Sequence, residues 1–267
     1  MTDAWGAFEV PVGKMGRWKF GPLTLHALRL AHEWRLAHEF DEDPLHGAID
    51  AQVPCPLHDL LGTETVRRFG VSNPSCRIAM SPLLADRSVV ARPEHPFVVP
   101  PGEASIVYVS SPLWVRVSYG TDDGLLVEIP TYRPSDTWFG PPNRAGELAY
   151  STRTFCRTSV EELPRRPHRA FTRVIIENRT PLPLDFASVS LPMPRFALYK
   201  DKNGAFWTQD VGLLRNTGDE FAALRLDAKI PGAAPTAKLV TRARQISESN
   251  MMVRAFSSLF AGSSEER

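Results

Sequence analysis

The stretch at 95–120, HPFVVPPGEASIVYVSSPLWVRVSYG, decides the fold class of this chain. Apolar and polar residues alternate through 106–108 and again through 113–119, and a period of two residues is typical of strands with one buried face. The residues PPGE at 100–103 favour a turn, because proline presets one backbone angle and glycine tolerates a reversed one. The stretch therefore predicts three strands that pack against a second layer.

Strand patterns of the same style continue towards the C-terminus. GLLVEIP predicts a strand at about 124–129, EFAALRLDAKIP predicts another at 220–231, and the style repeats through 169–210. Within that last region, Asn203-Gly204 is the most typical two-residue hairpin signal. We therefore predict a mainly β protein with two antiparallel β-sandwich-like units. The predicted domains are 1–125 and 126–235, followed by a helical segment at 236–267.

The segment at 16–40 is ambiguous. It predicts either a helix from Thr24 or two strands that meet near Ala31. Trp18, Phe20 and Leu23 alternate as strand residues do, and the surrounding sequence is rich in strand signals. Strands are therefore favoured here, whereas 56–70 can hold a short helical turn.

The C-terminal segment differs in character, because 237–262 contains no proline. Ser249 or Asn250 would cap a short α-helix and Gly262 would end it. Such a helix either docks on the β-body or presents its apolar face to a partner or a membrane surface. We predict partner binding by its apolar side chains, which are Met252, Phe256, Leu259 and Phe260.

Composition narrows the possible functions. The 267 residues are 43% hydrophobic and 23% charged, which is typical of a globular protein. The 31 basic and 30 acidic residues nearly cancel, and nucleic-acid binding depends on uncompensated basic clusters. Short basic runs at 153–157 and 165–169 are interpreted as solvated charges of turns or strand edges. We therefore predict no nucleic-acid partner.

The proline content bears on the fold, and the cysteine content bears on the cellular compartment. Twenty-four prolines disfavour long helices, since proline removes a helical hydrogen bond. The three cysteines are isolated and odd in number, which is typical of a reducing compartment. The N-terminus lacks the pattern of a signal peptide, and no stretch has the length and hydrophobicity of a transmembrane segment. The expected location is the cytoplasm.

Motifs for catalysis and metal binding were tested against their required spacing. His32 and His38 are six residues apart, too far to share a metal ion on one helix face or one strand. No nucleophile signature or phosphate-binding loop occurs, and the cysteines are better explained as buried structural residues. We predict no metal, no cofactor and no enzymatic activity. A hydrolase assembled from scattered His, Asp and Cys residues is the less favoured alternative.

The segment at 129–154, IPTYRPSDTWFGPPNRAGELAYSTRT, is the strongest candidate for a binding surface. Rigid aromatic side chains give contact area at low entropic cost, and arginine gives directed hydrogen bonds. Alternatively, the segment is a corner at which Trp138 and Phe139 lock two β-layers together. The candidate binding residues are Tyr132, Arg133, Asp136, Trp138, Phe139 and Arg144.

Three stretches carry a family resemblance: PFVVPPGEASIVYVSSPLWVRVSYG, the 129–154 segment, and FTRVIIENRTPLPLDFASVSLP at 171–192. With them, the chain resembles a prokaryotic family of unknown function, found in archaeal and bacterial genomes. The resemblance covers about residues 90–200. The resemblance implies genes encoded near small mechanosensitive channels, and from this we predict an association with a membrane channel. The resemblance supplies no catalytic residues.

Two functions from different classes follow. The leading hypothesis is a non-catalytic cytoplasmic accessory or protein-interaction module, with a protein partner or a homo-oligomer. The alternative is a protein that binds carbohydrate or another small polar ligand through the 129–154 segment.

Overall fold

A computed structural model gives the architecture of the protein. It describes residues 3–43, 46–56, 66–140, 146–164, 166–217, 222–227, 230–245 and 253–255. The first twelve strands are β1 Gly6–Glu9, β2 Met15–Phe20, β3 Leu23–Arg29, β4 Glu33–Phe40, β5 Ile49–Cys55, β6 Arg67–Gly70, β7 Arg77–Leu83, β8 Val89–Pro93, β9 Phe97–Val99, β10 Ala104–Pro112, β11 Trp114–Tyr119 and β12 Gly124–Pro130. The following strands are β13 Ser135–Phe139, β14 Glu147–Thr154, β15 Arg169–Arg179, β16 Leu184–Phe186, β17 Val189–Leu191, β18 Leu198–Lys200, β19 Phe206–Trp207, β20 Val211–Asn216, β21 Ala222–Leu226, β22 Lys238–Thr241 and β23 Val253–Ala255. A short 3-10 helix occurs at Met193–Arg195.

The N-terminal sheet is an antiparallel sheet of five strands in the order β5-β2-β3-β4-β6. Side chains along β3 alternate between buried and half-buried, as the two-residue period requires. Gly21 turns the chain between β2 and β3 in the left-handed region, with φ of 62°. The strand interpretation of 16–40 is therefore confirmed.

The first hydrophobic core lies between this sheet and a second one, in the order β1-β7-β11-β12. Trp18, Phe20 and Trp34 come from the N-terminal sheet, while Met80 and Val117 come from the second sheet. Burying large side chains such as these removes apolar surface from water, which is the main stabilising term in folding. The two sheets thus form one layered unit.

The second hydrophobic core lies around the long strand β15. This strand pairs antiparallel with β10 along nine residue pairs and parallel with β19 and β20. The sheet continues in the order β22-β18-β19-β15-β20-β21-β23. Val107, Val174 and Val211 from this sheet share the core with Val89 and Val189. The last two residues belong to a four-stranded sheet in the order β13-β14-β8-β17.

The prediction of a mainly β protein is confirmed, and the strands predicted at 95–120, 124–129 and 220–231 are present. The pairing differs from the fully antiparallel arrangement that we predicted, because β14 pairs with β8 in parallel and β15 pairs in parallel with two strands. The division at residues 125 and 235 stays a prediction. Strand pairs β10–β15 and β8–β14 cross the first of these boundaries.

The predicted C-terminal helix is not supported. Of 249–262 the structure describes Val253–Ala255 alone, and these residues form β23, which pairs antiparallel with β21. Residues in a strand direct their backbone hydrogen bonds to a neighbouring chain segment, which excludes the helical pattern there. Met252, Phe256, Leu259 and Phe260 lie outside the described residues.

Over the described ranges, no helix has the length and hydrophobicity that crossing a bilayer requires.

Candidate functional site

The predicted binding segment at 129–154 forms the end of β12 and the β13–β14 hairpin. Trp138 and Leu148 are direct cross-strand partners. Each of them is 51% exposed, although both are large and apolar. Phe139 is buried against Val90 and Ala149. Successive strand residues point to opposite faces, so the hairpin both closes a small core and exposes an apolar pair.

The other predicted residues of this segment are spread around the hairpin. Asp136 Oδ1 lies 3.5 Å from Arg87 Nη1 in an exposed ion pair. Tyr132 is half-buried and Arg133 is exposed. Arg144 lies outside the described residues. The binding role of this set therefore stays a prediction.

A cavity of about 620 Å³ opens elsewhere, between the N-terminal sheet and the β18–β19 hairpin. We call it the seam cleft. Trp5, Gly47 and Ile49 line it from the N-terminal part of the chain, and residues within 160–171 and 200–207 form its other walls. None of the described 129–154 residues lines it. Ligand sites occur preferentially in concave, mostly apolar cavities of this size.

Trp5 marks the boundary between the two main cores. Its side chain packs against both of them. The ring centroid lies 4.4 Å from that of Phe20 in the first core and 6.0 Å from that of Phe206 in the second. The indole Nε1 is buried and has no hydrogen-bond partner among the described residues. The Trp5 ring therefore joins the two cores and gives the seam cleft an aromatic surface.

The β18–β19 hairpin forms one wall of the cleft, and Asp201 fixes its turn. Asp201 Oδ1 accepts hydrogen bonds from the backbone N–H groups of Asn203 and Ala205 at 2.8 and 2.9 Å. Asp201 Oδ2 accepts one from Trp207 Nε1 at 3.0 Å. Gly204 adopts φ of 85°, which glycine tolerates without strain. The hairpin predicted from Asn203-Gly204 is thus confirmed by the antiparallel pairing of β18 with β19.

The 160–171 wall of the cleft carries Arg166, which clusters with two residues outside the cleft lining, Phe155 and Arg157. The Arg166 guanidinium lies 5.6 Å from the ring centroid of Phe155, and that of Arg157 lies 5.3 Å from the same ring. Burial lowers the pKa of Arg166, and the charge of Asp43 acts in the opposite direction. Over the described ranges, no side chain accepts a hydrogen bond from the Arg166 guanidinium, and Asp43 is the opposite charge that acts on it. Arg166 is therefore a half-buried cation without a direct hydrogen-bonded partner in the described part of the chain.

Arg169 lies behind this wall and is buried, so the interpretation of 165–169 as solvated charge is wrong at this position. Its guanidinium donates to Ser110 Oγ and O at 3.1 and 2.8 Å, and to Thr152 Oγ1 at 3.2 Å. Burial lowers its pKa to about 10. The side chain reaches neutral acceptors across three strands, which a sequence run of basic residues does not reveal. Its role is to hold β10, β14 and β15 together.

His168 is also fully buried, and neither ring nitrogen has a hydrogen-bond partner in the described structure. The ring packs against Gly21, where an added Cβ would lie 2.4 Å from Nδ1. Burial, assisted by the charges of Arg169 and Arg166, lowers the pKa of His168 to about 3. The imidazole is therefore neutral at physiological pH and packs as an apolar ring.

Reactive thiols and metal clusters were also sought. All three cysteines are free, and burial raises the pKa of Cys156 to about 12, which disfavours a thiolate nucleophile. Within the described ranges, no group of three or more His, Cys, Asp or Glu side chains is placed to hold a metal ion.

Sequence reasoning missed the seam cleft because its walls come from separate segments near residues 5, 48, 160–171 and 200–207. Two local signals pointed towards it: the Asn203-Gly204 turn and the basic run at 165–169. Neither signal reveals which distant segments pack together. Strand β15 pairs with β19, and this pairing brings 170–171 next to 206–207. The site is thus a product of tertiary packing.

These features define an all-β protein of several packed sheets with a ligand-sized cleft between its two main cores. The chain belongs to the family described as protein of unknown function (DUF432), whose model matches residues 4–261. The resemblance to a family of unknown function is thereby confirmed over nearly the whole chain. Comparisons with curated proteins and with solved structures find no match.

Proposed function

We propose that this protein is a non-catalytic binding protein that takes a small molecule into the seam cleft. The observation that carries the proposal is the cavity of about 620 Å³, which is lined by four aromatic side chains, Trp5, Phe171, Phe206 and Trp207. Cavities of this kind bind ligands by burying an apolar or planar body while a few polar groups fix its orientation. This proposal keeps the ligand-binding alternative of the sequence analysis but moves its site away from the 129–154 segment.

The side chains of the cleft favour a ligand with a flat face. Trp5, Phe206 and Trp207 supply rings, and Phe171 packs against Trp207 with ring centroids 5.5 Å apart. Stacked or edge-on contacts between rings contribute about 0.5–1.5 kcal/mol beyond the area that they bury. A planar ligand gains more from such a surface than a compact aliphatic one.

A ligand screen tests the proposal directly. The purified chain is titrated with a panel of aromatic and sugar-like fragments, and binding is followed by tryptophan fluorescence and by the shift in melting temperature. The variant Ala205→Phe places a ring at the wall of the cleft, so it should abolish the binding of any hit. Ala104→Phe is the matched control, because Ala104 is exposed at the start of β10 and lies outside the cleft lining. Hits that bind Ala205→Phe unchanged would rule out this cleft as their site.

A second candidate is the protein-interaction module of the leading sequence hypothesis. The observation that favours it is the exposed pair Trp138 and Leu148 on the β13–β14 hairpin. Among the described strands, β13 is the outer strand of its sheet, and the edge of a sheet is where another chain can add a strand. A protein partner or a second copy would add to the sheet at this edge.

Sedimentation analysis and affinity copurification test this second candidate. Trp138→Ser with Leu148→Ser should convert an oligomer to monomer or remove a copurifying partner. Val98→Ser is the control, since Val98 is a comparably exposed apolar residue on β9. If the double variant keeps the same mass and partners as the control, the hairpin is not an interface.

Location and partner remain parts of the proposal. A cytoplasmic location is supported by the three free cysteines, which persist in a reducing compartment. The channel association implied by the family resemblance stays a prediction, and copurification from membranes that contain the channel would test it.

A further inference from the structure

We infer that the seam cleft selects ligands that carry a terminal anionic group, a carboxylate or a phosphate ester, and that Arg166 binds this group. The inference rests on the proposed function of the cleft and specifies the chemistry of its ligand. Guanidinium groups bind carboxylate and phosphate oxygens through paired, charge-assisted hydrogen bonds, which are among the stronger polar contacts in proteins.

The first argument is that the other charged side chains at the cleft are already engaged. Lys200 Nζ lies 3.4 Å from Asp3 Oδ2. The Asp201 carboxylate accepts three hydrogen bonds within its own hairpin. Glu161 accepts a hydrogen bond from Ser159 Oγ. Arg166 is the cleft residue with an ionic side chain that has no such partner in the described part of the chain.

The second argument comes from the local charge. Arg166 and Arg157 both lie over the Phe155 ring, so two cations share one aromatic neighbour. Partial burial weakens the screening of the Arg166 charge by water, and it lowers the pKa of this side chain. An anion placed against Arg166 would offset this cost of burial. By contrast, Arg169 gains nothing from an anion, because neutral acceptors already satisfy it.

The third argument is the distribution of groups around the cavity. The rings of Trp5, Phe206 and Trp207 line the cleft from the seam and the β18–β19 hairpin. Arg166 lines it from the 160–171 segment, together with the ring of Phe171. A ligand with a planar body and one terminal anion matches this division. A neutral planar ligand would use the rings but leave Arg166 unpaired.

Three small probes separate these possibilities: phenyl phosphate, phenylacetate and the neutral phenylacetamide. Binding to the full chain is measured by saturation-transfer NMR and by calorimetry at low and high NaCl. We expect at least one of the anions to bind about 10-fold or more tightly than the amide, as a charged hydrogen bond implies. The preference for phosphate or carboxylate then identifies which anion the site takes. Salt should weaken binding of the anion but not of the amide.

The variants Arg166→Gln and Arg166→Lys complete the test. Arg166→Gln should reduce anion binding to the level of the amide and leave amide binding unchanged, while Arg166→Lys should retain part of the preference. Arg157→Gln is the matched control on the same ring, and it should reduce the preference less. If the amide binds as tightly as both anions, or if Arg166→Gln keeps the preference, the inference is overturned while the cleft remains a ligand site. If no probe binds, or if Ala205→Phe leaves all binding unchanged, the proposed function is overturned and the inference falls with it.

Discussion

Two arginines of this protein, Arg29 and Arg166, have opposite environments. In the N-terminal sheet, Arg29 is fully buried and donates to the backbone carbonyls of Ser75, Asn73, Leu30 and Glu33. At the seam cleft, Arg166 is half-buried and donates to no described acceptor. The difference shows that burial of charge is not by itself a sign of function.

The two environments differ in whether the fold itself supplies hydrogen-bond partners for the guanidinium. Arg29 also stacks on Trp34, with its Cζ 5.3 Å from the ring centroid, so its environment is complete. A buried polar group that is fully hydrogen-bonded contributes to a unique structure, whereas an unsatisfied one costs free energy unless a ligand completes it. Arg29 is thus structural, and Arg166 is the better candidate for recognition.

Removal of Arg29 should give the largest effect. Arg29→Met leaves buried carbonyl oxygens without donors, and we expect the free energy of unfolding to fall by about 4 kcal/mol. Urea denaturation measures this loss. Arg68→Met is the control, because the Arg68–Glu33 ion pair is exposed on the arginine side and such pairs contribute little to stability. Equal losses in the two variants would contradict a structural role for Arg29.

Gly21→Ala tests how tightly the turn between β2 and β3 packs against His168. The added Cβ would meet His168 Nδ1 at 2.4 Å, in addition to the strain of a positive φ. We expect a loss of about 3 kcal/mol by denaturation. Gly13→Ala separates the two causes, since Gly13 has φ of 79° with nothing within 4 Å of the new Cβ, and it should cost about 1 kcal/mol. Similar losses would mean that the contact with His168 is unimportant.

His168 should make stability depend on pH. Its pKa is about 3 in the folded protein, against the ordinary value of 6.5, so the unfolded chain binds the proton more tightly. Stability is therefore unaffected above about pH 6.5 and is lost as pH falls towards 3, by about 2 kcal/mol between pH 7 and pH 5.

The measurement is the difference in unfolding free energy between wild type and His168→Leu across this pH range, which cancels the titration of other groups. The variant should lose the part of the slope that is due to His168. His95→Leu, at an exposed position, should keep the wild-type slope. Parallel curves for wild type and His168→Leu would show that His168 is not the responsible group.

Arg166→Gln should give the smallest effect on stability. The side chain makes no hydrogen bond that the fold requires, so we expect a change within about 0.5 kcal/mol by denaturation. Arg169→Gln, three positions along the same basic run, should lose several times as much, because Ser110 and Thr152 would lose their donor. If Arg166→Gln unfolds the protein as Arg169→Gln does, the distinction between structural and recognition arginines fails here.

Much of the fold could be predicted because its signals are local. The alternation along β10 and β11, and the Asn203-Gly204 turn, depend on neighbouring residues alone. Parallel pairing of β8 with β14 joins segments about 60 residues apart, and no local pattern encodes it. The helix predicted near Met252 followed from apolar spacing, which short strands can share with helices, and β23 shows the limit of that signal.

The candidate site was less predictable for a related reason. The aromatic residues of 129–154 predicted a binding surface there, and the β13–β14 hairpin does expose the apolar pair Trp138 and Leu148. The seam cleft needs Trp5, the 160–171 segment and the β18–β19 hairpin to meet, and these segments are far apart in the sequence. Whether the guanidinium groups of Arg169 and Arg166 find hydrogen-bond acceptors likewise depends on strands far away in the sequence.

The pairing of β8 with later strands has a consequence for synthesis on the ribosome. The N-terminal sheet and the β1-β7-β11-β12 sheet have all their strands once residue 130 has emerged. Strand β8 has emerged by then too, but its neighbours β14 and β17 end only at Thr154 and Leu191. At about 5–20 residues per second, the interval from residue 130 to 154, in which β8 has neither neighbour, lasts about 1–5 s. During that time the nascent chain carries a finished first layer beside an unpaired apolar strand, which is the species that chaperones would meet.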